Sequence, residues 1–150
     1  MPQIQDSKTK VLIEALVIDD DEDDVFLLSR ALRDAAARRS AEVSLRRASN
    51  GVDGLNMISR SDLLCRLPNL VVVDLNMPLL DGVGFLRALR TALELYVVWT
   101  VVLTTSGQSE ILGAAREAGA DEVFVKPQSQ QELATIAARM LDGALRVRSR

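Results

Sequence analysis

Asp19, Asp20, Asp74, Thr104 and Lys126 are the residues whose types and positions could do chemistry. Each stands at the end of a short apolar run. Ala15-Leu16-Val17-Ile18 leads into Asp19-Asp20-Asp21, and Leu70-Val71-Val72-Val73 leads into Asp74. The run from Val97 to Leu103 leads into Thr104-Thr105, and Val123-Phe124-Val125 leads into Lys126-Pro127. Carboxylates brought within a few ångströms repel one another. A hard cation relieves this, and Mg²⁺ takes oxygen ligands while keeping several waters. The chain has no histidine and one cysteine, Cys65, so the soft donors that Zn²⁺ prefers are missing. A lysine beside such a cluster pairs with a carboxylate or a phosphate oxygen. A threonine hydroxyl can donate to a phosphate oxygen. A carboxylate held beside Mg²⁺ can act as nucleophile toward phosphorus and form an acyl phosphate.

Taken singly, each group has a plainer reading. The acids from Asp19 to Asp24 suit a helix N-terminus. Asp74 could be a strand-end acid before a turn. Thr104 and Thr105 are good strand residues in any setting, and Lys126 before Pro127 could be a surface lysine. Their joint occurrence at the ends of four apolar runs favours one acidic, phosphate-linked site.

The elements that must position these groups follow from periodicity. Ala15–Ile18 and Leu70–Asp74 read as buried strands, and 97–103 as a third β-branched run. Val43–Arg47 alternates as a half-exposed strand, and Val123–Val125 is a short fifth strand. Between them lie helical patterns. Val25, Leu28, Leu32 and Ala35 mark a helix beginning near Asp23 or Asp24. Val52, Leu55 and Ile58 mark a short one after the Asn50-Gly51 turn, followed by a polar connection from Ser59 to Asn69. Gly82 opens a helix carrying Phe85, Leu86, Leu89 and Leu93. Ile111, Ala115 and Ala118 mark a fourth, closed by Gly119. The last carries Leu133, Ile136, Ala137, Met140, Leu141, Ala144 and Leu145. Strands alternating with helices predict an α/β fold, a doubly wound five-stranded parallel sheet with five helices. In such a sheet, sites form outside the carboxyl ends of the strands, where the five candidates lie.

Composition limits the function classes. At 150 residues, 48% hydrophobic and 26% charged, the chain has the make-up of one soluble globular domain. A formal charge of −3 provides no basic footprint for nucleic acid. Arg146, Arg148 and Arg150 instead suit a helix C-terminus. No apolar stretch reaches the ~20 residues of a membrane span, and the N-terminus lacks the apolar core of a signal peptide. A cytoplasmic setting is the expectation. Residues 1–10 read as a flexible tail and 11–150 as one domain, with no output domain.

The motifs resemble those of the receiver domains of bacterial response regulators, over roughly residues 12 to 147. Val17-Ile18-Asp19-Asp20 is similar to the acidic pair after the first strand. Val73-Asp74-Leu75-Asn76-Met77-Pro78-Leu79-Leu80-Asp81-Gly82 is similar to the phosphorylation loop. Leu103-Thr104-Thr105-Ser106 resembles the switch threonine and its neighbours, and Val125-Lys126-Pro127 the lysine with its following proline. The separations of 30 residues from Asp74 to Thr104 and 22 from Thr104 to Lys126 suit the family.

This resemblance implies the flavodoxin-like strand order 2-1-3-4-5 and a part in a two-component system. It implies that Asp74 accepts phosphate from a histidine kinase, and that the domain promotes only its own phosphorylation and dephosphorylation rather than serving as an enzyme. It implies Mg²⁺ as cofactor, with Asp20 and Asp74 as ligands, Asp19 largely through water, and the backbone carbonyl of Asn76. Thr104 would turn inward after transfer, and Lys126 would pair with Asp74 and then with a phosphate oxygen. Pro127 would follow a cis peptide bond.

The acidic run Asp19–Asp24 and the longer segment before the third strand further resemble small regulators paired with bacterial phytochromes. Output would then occur by association, including a homodimer through the last helices, with no membrane or nucleic-acid partner. One position departs from the family. Many receivers carry Tyr or Phe three residues before the lysine, where this chain has Val123. Phe124 is adjacent, but strand alternation turns it to the opposite face.

Three other readings compete. A phosphatase of the haloacid-dehalogenase type also uses an aspartyl phosphate, but needs a second Asp where Asn76 stands. A receiver-like scaffold could bind partners without phosphorylation. A flavodoxin-like cofactor binder would have one Trp and one Tyr to stack on a flavin.

Overall fold

The computed structural model describes residues 9–63, 67–75, 82–92 and 98–148. Strand β1 (Val11–Ile18), helix α1 (Glu22–Ala37), β2 (Ala41–Ala48), α2 (Gly51–Leu63), β3 (Leu70–Asp74), α3 (Gly82–Ala92), β4 (Trp99–Thr104), α4 (Ser109–Glu117), β5 (Glu122–Val125) and α5 (Gln130–Arg148) follow in order. The strands form one parallel sheet in the order β2-β1-β3-β4-β5. This is the expected doubly wound fold. Asn76, Leu93, Val97 and Cys65 lie outside the described residues.

Apolar runs without alternation make sense for strands buried on both faces. β3 is buried throughout. Its Leu70 and Val72 join Ile13, Val17 and Val101 in a core beneath α1 and α5. Val71 and Val73 join Leu16, Ile18 and Val102 in a core beneath α2, α3 and α4. The broad apolar stripe of α5 is largely consumed in this way: Ala137, Met140, Leu141 and Ala144 are buried, and Leu133, Ile136 and Leu145 pack against the first core.

Several boundaries differ from the sequence expectation. β1 begins at Val11, because pairing with β2 extends to Val11 opposite Ala41. α1 begins at Glu22, because the Asp21 side chain accepts from the backbone N–H groups of Asp23 and Asp24 and caps the helix. α2 continues past Ile58 to Leu63, so the expected polar connection from Ser59 is partly helix. Ser59 tolerates this by donating its hydroxyl to the Leu55 carbonyl one turn back. Gly119 sits just past α4 with φ of +113°, the left-handed conformation that closes a helix and favours glycine.

Candidate functional site

Four strand ends converge on one edge of the sheet. Asp19 follows β1, Asp74 ends β3, Thr104 ends β4 and Lys126 follows β5. The parallel register produces this, since Ile18 lies opposite Val73, Asp74 opposite Leu103, and Thr104 opposite Val125. Asp19, Asp74 and Thr104 are buried. Oxygens of Asp19, Asp20 and Asp74 lie within 4.8 Å of one another. The Lys126 ammonium reaches into the group, with Nζ 2.9 Å from Asp74 Oδ2 and 3.9 Å from Asp19 Oδ2. Its backbone N–H donates to the Thr104 carbonyl at 2.7 Å, which ties the lysine to the end of β4.

Local hydrogen bonds orient the acids. Asp19 Oδ1 accepts from the Asp21 backbone N–H at 2.9 Å. The Asp19 carbonyl accepts from Arg47 Nε at 3.1 Å. Thr104 Oγ1 accepts from the Ser106 backbone N–H at 3.1 Å, so the threonine hydroxyl holds the loop that follows it. Two further residues that sequence reasoning did not place at the site are Asp24 and Arg47. Asp24 Oδ2 lies 2.8 Å from Lys126 Nζ. In the sequence it is one acid in the run Asp19–Asp24, and nothing in its position sets it apart.

The electrostatics follow from crowding. Burial is the main cause that pushes the Asp19 carboxyl from 3.8 up to about 6. The Asp21 N–H opposes this, the Asp74 charge adds to it, and Lys126 opposes it. Burial alone would lower the Lys126 ammonium, but hydrogen bonds to Asp24 and Asp74 outweigh it and raise the group above its ordinary value. Three carboxylates, those of Asp19, Asp24 and Asp74, thus share one ammonium, and Asp20 adds a further acid beside Asp19 and Asp74. An all-oxygen donor set with excess negative charge fits a hard divalent cation such as Mg²⁺. A buried carboxylate beside such a cation and a lysine is equipped to take a phosphoryl group.

The structure therefore brings together Asp19, Asp20, Asp74, Thr104 and Lys126. Asn76, expected to offer its carbonyl, lies outside the described residues. The Lys126–Pro127 bond is trans, since no cis peptide occurs among the described residues; this corrects the cis expectation and accords with the intrinsic preference of X–Pro bonds. Phe124 packs in the core beneath α1 and α5 while Val123 packs in the opposite one, as strand alternation requires. Arg139 lies over the Phe124 ring, 5.1 Å from its centroid.

The model of the response regulator receiver domain matches residues 15–138. The chain belongs to that family. A probable chemotaxis protein CheY of Rhizobium etli is 30% identical over 115 residues, covering 77% of this chain and 81% of that protein. The curated relatives that follow are longer, and the chain spans 33% and 45% of their lengths. Among solved structures, response regulator RPA3017 in red light signalling of R. palustris is similar with a TM-score of 0.70 at 26% identity, over 85% of this chain and 90% of that one. The phosphorylated cyanobacterial phytochrome response regulator RcpA shares the fold, with a TM-score of 0.74 at 20% identity over 90% and 95%. Receiver domains are phospho-acceptor signalling domains rather than enzymes, partner with histidine kinases, and bind Mg²⁺ at an acidic pocket. No helix among the described residues is long and apolar enough to cross a membrane.

Proposed function

We propose that Asp74 of this receiver accepts a phosphoryl group from the phosphohistidine of a sensor kinase. An Asp74 carboxylate oxygen would attack phosphorus while the phosphorus–nitrogen bond to the kinase histidine breaks. The observation that carries this reading is the Lys126 ammonium 2.9 Å from Asp74, inside the cluster formed with Asp19 and Asp20. Asp19, Asp20 and Asp74, with the Asn76 carbonyl, would hold Mg²⁺, which supplies positive charge to the carboxylates and phosphoryl oxygens.

The chain's own residues do the rest. Lys126 holds Asp74 before transfer and a phosphoryl oxygen after it. Phosphorylation adds about two negative charges and strong acceptor oxygens. Thr104 turns its hydroxyl to one of them and gives up the Ser106 N–H it now accepts. The loop from Thr105 to Gln108 moves with it, shifting the balance between two states of the α4–β5 face. With Val123 in place of an aromatic, the signal rests on this loop and on α4 and α5. Ile111 and Val125 are exposed there, which supports output by association with a partner or a second copy. Similarity to the R. palustris regulator in red light signalling supports a light-sensing kinase as phosphoryl donor, in keeping with the bacterial phytochrome that the sequence motifs lead us to expect.

Incubation with acetyl phosphate tests this reading. A mass gain of one phosphoryl group that requires Mg²⁺ and is removed by hydroxylamine is expected of an aspartyl phosphate. A protein that binds Mg²⁺ but gains no mass would favour the unphosphorylated scaffold.

A further inference from the structure

Lys126 has two close anionic partners, and only one of them belongs to the cluster of potential metal ligands. Asp74 Oδ2 lies 2.9 Å from Nζ, Asp24 Oδ2 lies 2.8 Å from it, and Asp19 Oδ2 stands further off at 3.9 Å. Asp24 comes from the first turn of α1, outside the strand ends that deliver the other acids. It is not among the three acids whose oxygens cluster within 4.8 Å. The Asp24 side chain is 42% exposed, whereas that of Asp74 is 4% exposed. Water thus reaches one partner of the lysine, while the other is enclosed.

We propose that Asp24 is a positioning residue that competes with the phosphoryl group for Lys126. The proposal rests on the reading of Asp74 as acceptor. The ammonium has three donor hydrogens and one charge to share. In the unmodified protein Asp24 takes part of that charge, so the lysine repels a divalent cation less. Once an anion is attached to Asp74, the same contact draws the lysine away from the new oxygens. Asp24 therefore favours the metal-loaded, unphosphorylated state and opposes the phosphorylated one.

This predicts effects of opposite sign from one substitution. Asp24→Asn keeps the size of the side chain and removes its charge. Mg²⁺ affinity, read by calorimetry at fixed pH, is expected to fall two- to fivefold, the range of a partly exposed charge pair. Affinity for the trifluoroberyllate anion, a stand-in for the phosphoryl group, is expected to rise by about the same factor at saturating Mg²⁺. Asp23→Asn is the control, because Asp23 neighbours Asp24 in the helix start and no contact of its side chain with Lys126 is seen. It loses the same charge–dipole interaction and is expected to leave both affinities near the wild-type values.

Damage to the fold would lower both affinities together and overturn the proposal, as would equal effects of the two variants. No change in Asp24→Asn, in a wild type that accepts phosphate from acetyl phosphate, would overturn this inference alone. A wild type that neither binds trifluoroberyllate nor accepts phosphate would overturn the acceptor reading and this inference with it.

Discussion

Asp19→Asn is expected to stabilise the metal-free protein at neutral pH. Asparagine has nearly the same shape and retains the oxygen that accepts from the Asp21 N–H at 2.9 Å. What it lacks is the charge, which burial and the Asp74 carboxylate disfavour. Raising the Asp19 carboxyl from 3.8 to about 6 corresponds to about 1.4 kcal/mol for each pH unit, or ~3 kcal/mol in all. The sign is opposite to that of a salt-bridged acid. The folded state holds the Asp19 proton more tightly than the unfolded chain, so this contribution is present below pH ~4 and is lost as pH rises toward 6. The variant never incurs that loss. In urea or thermal unfolding with a chelator at pH 7.5, it should exceed wild type by about 3 kcal/mol, or roughly 6–12 °C in Tm. At pH ~4 the two proteins should be nearly equal. Mg²⁺ should narrow the gap at pH 7.5, because wild type gains more from the ion. A variant less stable than wild type at pH 7.5 without divalent ions, or a gap that does not change with pH, would refute the reasoning.

Further outcomes follow from the same geometry. Mg²⁺ affinity should be flat above pH ~6 and fall about tenfold per pH unit well below it, because binding must displace the Asp19 proton; calorimetry across pH 4.5–8 checks this. Lys126→Met removes the cation shared by Asp74, Asp24 and Asp19, and should cost the metal-free fold about 3 kcal/mol at neutral pH. Added Mg²⁺ should restore part of that loss, and chemical unfolding with and without the ion measures both. Gly143→Ala should destabilise by about 1–2 kcal/mol despite alanine's better helix propensity, because the added Cβ would overlap the Trp99 indole. Trp99 is the only tryptophan, so its emission should shift as it is displaced.

The fold was legible because β3 and its neighbours are buried on both faces, which leaves an unmistakable apolar signature in the sequence. The site was legible for the same reason, since each strand end is marked by the abrupt arrival of a polar residue. Boundaries were harder. Asp21 looked like one acid in a run of acids, and only its bonds to the N–H groups of Asp23 and Asp24 distinguish it as the cap. Ser59 is a poor helix former on its own, and packing of Leu55, Met57 and Ile58 on the second core carries α2 past it. The part played by Asp24 could not be read from position alone. Its contact depends on the angle at which α1 leaves β1 and on the length of the lysine that meets it from β5. The wide apolar stripe of α5 was legible too, and most of it packs against the sheet and α1.

Phosphoryl transfer to this receiver depends on Asp74, and the most direct measurement is the location of the phosphoryl group. Wild type and Asp74→Asn should be treated with acetyl phosphate and Mg²⁺, then analysed by intact mass and by peptide mapping. We expect one phosphoryl group on the wild type, on the peptide holding Asp74, and none on the variant. A group of equal yield on both proteins, or one mapped to Asp19, Asp20 or Asp24, would contradict the assignment.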